Sequence, residues 1–184
     1  MNTEILDRYE KVLEEGLVKI CKSSTLLGDE LLLSPDIEEK WDEFIKDYVA
    51  DAVENYNEFP EAAIAWAGFL GMAVAHHWDE DWLAHKGDKY TSYYGSRGWD
   101  DMDEHILGDV LHLDEKDGKF YSDMLSSCAL ATLALIRHEK VEAQTADGFY
   151  ILVRSYGVLF RIGAALELHR LGYKKERLGS GPVS

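Results

Sequence analysis

His76 and Glu80 stand one helical turn apart in AVAHHWDEDW, residues 73–82. An imidazole and a carboxylate at that spacing can share one divalent ion. His77 and Asp81 repeat the spacing on another face, which reads as solvated. A second row, Asp101, His105, Asp109 and His112, falls at intervals of 4, 4 and 3 residues beside an apolar stripe. Alternating carboxylate oxygens and imidazole nitrogens suit zinc, manganese or iron. His76, Glu80, Asp101 and His105 are therefore the candidate ligands of a divalent metal, which would make the chain a metal-dependent hydrolase. Neither row carries the Glu-x-x-His spacing of di-iron bundles or the His-Glu-x-x-His of zinc proteases. The plainer reading is that Glu80 satisfies a half-buried His76 and that the Asp–His row makes ion pairs worth a few tenths of a kcal/mol each.

Arg154 and Arg161 lie seven residues apart, hence on one face, within the apolar run FYILVRSYGVLFRIGAAL. A guanidinium in such surroundings requires a carboxylate, because an uncompensated buried charge costs about 3 to 5 kcal/mol. The acids of the third and fourth helices are the natural partners, which would draw both arginines and the candidate ligands around one polar pocket where Arg154 could hold an anionic substrate. Structural bridging to helix acids, or snorkelling to the surface, is the alternative.

Trp66, Trp78, Trp82 and Trp99, four of the five tryptophans, fall within 34 residues that also hold Tyr90, Tyr93 and Tyr94. Such density walls a pocket, centres an interface, or packs a large core under a loop. YGSRGW, with Arg97 between two glycines, reads as a shaped turn and matches no phosphate loop. Trp78, Trp82, Tyr93, Tyr94, Arg97, Trp99, Arg154 and Arg161 are the candidate lining of a ligand or partner pocket.

The formal charge of −16 excludes nucleic acid and anionic membrane as partners, since phosphate binding depends on lysine and arginine. It favours a basic protein, a small ligand or a metal cation. The charge is uneven: residues 1–123 carry 30 acidic against 11 basic side chains, residues 124–184 only 5 against 8. Cys21 and Cys128 are far apart and read as small core residues of a reducing compartment. The N-terminus lacks a basic-then-apolar leader, so the expected location is the cytoplasm. The uninterrupted apolar stretch Ala62–Ala75 holds 14 residues, short of the roughly 18 that span a bilayer. No Gly-x-Ser-x-Gly nucleophile elbow occurs.

The elements that must position these residues are all helical. Thr3 can cap a first helix ending near Cys21, with Gly16 open to a close neighbour. Ser34-Pro35-Asp36 supplies an N-cap, a first-turn proline and an acid at the positive helix end. A third helix is predicted from Pro60 to Lys86, apolar all round in its first half and therefore central. Shorter patterns predict helices over Trp99–Leu113, Ser122–Lys140 and Asp147–Leu171. No strand-like alternation is sustained. The expected fold is an all-α, single-domain bundle of about six helices over residues 1–172 with a central apolar helix, followed by a flexible C-terminal tail, 173–184. The expected function is that of a soluble helical binding protein using an acidic, aromatic-rich surface or pocket, residues 78–109. The alternatives are the metal-dependent hydrolase and a homodimer joined through the aromatic patch.

Overall fold

The computed structural model describes residues 2–142 and 144–174. It is all helical, with six α-helices. They are α1 (Thr3–Ser23), α2 (Pro35–Tyr56), α3 (Pro60–His85), α4 (Met102–Glu104), α5 (Glu115–His138) and α6 (Ala146–Arg170). A 3₁₀ turn, Tyr90–Tyr93, interrupts the connection after α3, and α4 runs directly into a π-helical turn, His105–Val110.

Capping chemistry sets most of the starts. Ser34 Oγ accepts the Asp36 N–H at 3.2 Å and Pro35 opens α2, as its sequence demands. Asn2, rather than Thr3, caps α1, its Oδ1 accepting the Glu4 N–H at 2.9 Å. Asp114 Oδ1 accepts the Asp117 N–H at 2.8 Å and so starts α5 seven residues ahead of Ser122. The Asp117-Gly118 pair is thereby held in the first turns of a helix. Thr145 caps α6 by accepting from Gly148 N at 3.1 Å.

The centre of the bundle is α3 against α6. Residues 67–75 of α3 are buried without interruption, and α6 is buried over most of its length. Small residues set how close these helices come. A Cβ at Gly163 would collide with the Gly68 carbonyl, and one at Gly71 would collide with the Phe160 carbonyl and lie 2.8 Å from Ala164 N, so backbone meets backbone. Gly16 faces open space instead, with nothing within 4 Å of a built Cβ; it serves no close approach. Among the described residues α6 alone is long and apolar enough to cross a bilayer, and 72% of that apolar window is buried inside the fold.

α1, α2 and α5 wrap this pair. Tyr9, Leu13, Leu17 and Cys21 of α1 face inward, and Cys21 Sγ lies 3.8 Å from Cys128 Sγ of α5, both thiols fully buried. An aromatic cluster fills the space among α2, the connection after α3 and α6. Tyr48 is its hub, with ring centroids 5.4 Å from each of Tyr90, Trp99 and Tyr156. Of the expected C-terminal tail, residues 175–184 lie outside the described residues. Tyr173 is held, its ring 5.4 Å from Trp78 and its hydroxyl donating to Asp79.

Candidate functional site

α3 is two helices joined at Asp81. The backbone there is extended (φ −161°, ψ 82°), and Asp81 Oδ1 accepts the Ala84 N–H at 3.2 Å. Extended dihedrals and a side chain accepting from the third residue onward define an N-cap. Asp81 therefore ends one helix and starts a one-turn second helix, so it is not the helical partner of His77.

The break reorganises the histidines. In a continuous helix His77 and His85 would be about 12 Å apart along the axis. Here their rings stack, centroids 3.6 Å apart and planes within 7°. His77 Nδ1 lies 2.9 Å from the Tyr93 hydroxyl, and His85 Nδ1 lies 2.8 Å from Asp88 Oδ2. Burial, reinforced by the neighbouring His85 and His76, pushes the His77 ring down to about 4, so it is neutral at pH 7. His77, His85 and Asp88, all half-buried, each offer a ligand atom within 4.8 Å of the others.

His76 points elsewhere. Its Nε2 is 3.3 Å from Glu80, realising the expected pair, and its Nδ1 is 4.0 Å from the fully buried Glu167 of α6. Glu167 is in turn bound by Arg170, Nη2 to Oε1 at 2.6 Å. Glu167 raises the His76 pKa against the opposing effect of burial.

Asp101 and His105 are separately engaged. The Asp101 carboxylate accepts the Arg97 N–H at 3.0 and 3.1 Å and the Ser96 hydroxyl at 3.1 Å, closing a tight turn in which Gly95 and Gly98 exchange backbone hydrogen bonds. Although desolvation pushes the Asp101 pKa upward, these donors outweigh it and hold it below the ordinary value. His105 Nδ1 pairs with Asp109 at 2.9 Å. The π-helical turn shifts the helical phase of the residues after it, and His112 adopts a left-handed backbone (φ 55°), so the row of four does not persist as one stripe. Among the described residues, His76, Glu80, Asp101 and His105 do not converge on one point; the trio that does is His77, His85 and Asp88.

The arginines find different carboxylates from those expected. Arg154 Nη1 pairs with Glu10 and, at 3.0 Å, with Asp7; Arg161 meets Glu10 at 2.8 Å and Glu14 at 3.0 Å. All three acids belong to α1, not to α3 or α4. The guanidiniums fasten α1 to α6 and do not draw the His/Asp rows into a common pocket.

The aromatic candidates divide by depth. Trp78 and Tyr93 are core, and Trp78 Nε1 donates to Asp36 at 3.2 Å. Trp82, Tyr94 and Trp99 are half-buried and packed on that core, Tyr94 donating to Asp51, while Arg97 is exposed.

A cavity of about 480 Å³ does open at the other end of α3. Phe59, Pro60, Ala65 and Trp66 form one side, Ser122, Ser126 and Leu133 of α5 another, and Glu58, Glu61 and Asp103 surround it with carboxylates. Trp66 is fixed by donation of its Nε1 to the Trp99 carbonyl at 2.7 Å. Burial raises the Asp103 carboxyl. None of the three acids pairs with a lysine, arginine or histidine among the described residues. Only Asp103 falls within the 78–109 stretch that the sequence singles out, because the walls come from segments remote in the chain.

Comparison with family models, with curated proteins and with solved structures gives no match, so the chemistry of these sites is read from their own residues.

Proposed function

We propose that this protein is a binding protein for an organic cation with an apolar body, taken into the cavity between the start of α3, α4 and α5. The observation that carries the reading is the ring of Glu58, Glu61 and Asp103, without cationic partners among the described residues, around a wall built on Trp66. The cavity volume falls in the range of small-ligand sites, roughly 300 to 1,000 Å³. Carboxylates attract an ammonium or guanidinium group, an indole face adds cation–π attraction, and Leu133 and Pro60 receive the alkyl portion. The net charge of −16 steers such a ligand inward, whether it is a free amine or an arginine or lysine on a basic protein.

Calorimetric titration with an alkylguanidinium and with an arginine-containing peptide tests the reading. Saturable binding that weakens with salt and falls at least tenfold in Glu61→Gln/Asp103→Asn supports it. No saturable binding of either probe, or binding indifferent to the double substitution, overturns it.

A further inference from the structure

We infer that His77, His85 and Asp88 form a binding site for a divalent first-row transition metal, zinc being the reference ion, independent of the cation pocket. Two imidazoles and one carboxylate suit zinc or iron and are poor ligands for magnesium or calcium, which take oxygen donors. Three protein ligands leave a fourth position for water or an exogenous ligand.

Four features assemble this trio. The Asp81 N-cap turns the chain so that His85 returns to His77. Lys40 of α2, only 2% exposed, donates to the Lys86 carbonyl at 2.6 Å while pairing with Glu43, which pins the residue after His85 to the bundle. The Asp88 N–H donates to the His85 carbonyl at 2.9 Å, setting the short turn between two of the ligands. Tyr93, held by Phe44 in an edge-on contact at 6.1 Å, places its hydroxyl 2.9 Å from His77 Nδ1, a contact that orients the imidazole.

Ligand atoms around a tetrahedral zinc ion lie about 3.3 Å apart; the present donors, none more than 4.8 Å from another and His85 Nδ1 only 2.8 Å from Asp88 Oδ2, reach that spacing by side-chain adjustment alone. Rings stacked in parallel at 3.6 Å must tilt to aim two lone pairs at one ion, so binding opens the stack.

The experiment uses the full chain, stripped with a chelator and titrated with zinc in competition with a chromophoric chelator, alongside magnesium. One zinc per chain is expected, with no magnesium binding and changed ring-proton resonances for His77 and His85. His85→Ala and Asp88→Asn, both at half-buried positions, each weaken zinc at least tenfold. Tyr93→Phe, which keeps the ring and removes the hydroxyl, also weakens it about tenfold. His105→Ala, at the unrelated Asp109 pair, leaves affinity unchanged. Absence of stoichiometric zinc, undiminished affinity in His85→Ala and Asp88→Asn, or loss of binding in His105→Ala overturns the assignment. None of these outcomes depends on Glu61 or Asp103, so this site and the cation pocket stand or fall separately.

Discussion

Glu10 holds two arginines at once: its Oε1 lies 2.8 Å from Arg161 Nη2, and its Oε2 receives Arg154. One carboxylate from α1 thus neutralises two cations one heptad apart on α6, with Asp7 and Glu14 completing the ladder. Arg161 and Glu10 are about four-fifths buried, 20% and 22% exposed, so screening is partial. Glu10→Gln is expected to cost about 1 to 3 kcal/mol in urea unfolding, since it leaves two guanidiniums short of charge. In a double-mutant cycle with Arg161→Met the two losses should be less than additive; strict additivity would show the pair to be uncoupled.

Two glycine substitutions should act in opposite directions. Gly163→Ala places a methyl group into the Gly68 carbonyl of α3, where rigid backbone must give way, and should cost about 3 kcal/mol or more. Gly16→Ala meets nothing within 4 Å on an exposed helical position and should stabilise by about 0.5 to 1 kcal/mol through helix propensity. Thermal melts of both variants give the signs directly, and a neutral Gly163→Ala would disprove the backbone-on-backbone packing of α3 and α6.

Asp101 makes the stability dependent on acid. Its folded pKa is lowered, so its contribution is complete at neutral pH and is lost as pH falls from about 4 through the still lower folded value. The wild type should lose more stability between pH 5 and pH 3 than Asp101→Asn, which cannot titrate. Parallel losses in the two proteins would remove Asp101 from the acid response.

The break in α3 has its own signature. Asp81→Ala removes the acceptor for the Ala84 N–H and should cost about 1 kcal/mol, with hydrogen exchange accelerated over residues 82–86 and unchanged over residues 64–75. Uniform acceleration along α3 would mean that the two segments open as one helix.

Cys21 and Cys128 should be silent toward a maleimide in the native protein and label fully once unfolded, because both are buried against each other and Cys128 is pushed up, chiefly by its contact with Cys21 and then by burial. Stoichiometric labelling of the folded chain would contradict the α1–α5 contact.

Local signals proved the most legible in the sequence. Ser34-Pro35-Asp36 and Pro60 act over one helical turn, and the positions of α2 and α3 follow from them. The apolar run that makes α3 central is likewise a property of adjacent residues. The spacing of His76 and Glu80 was readable for the same reason, and the two do pair. Features that escaped the sequence required either a departure from regular helix or a remote partner. A helical count carried His77 toward Asp81 and past His85, because one extended residue at Asp81 resets the phase; an aspartate three residues before the amide it accepts was the available signal. The π-helical turn at His105–Val110 likewise split an apparently regular Asp/His row. The partners of Arg154 and Arg161 lie about 145 residues away in α1, beyond any periodicity argument.

The crossing of Gly68 with Gly163 places the two halves of the hydrophobic centre nearly a hundred residues apart in the chain. On the ribosome, the first half of α3 emerges with apolar side chains on every face and no α6 to receive them. The nascent polypeptide must shelter that greasy segment until α6, nearly a hundred residues further on, has been synthesised.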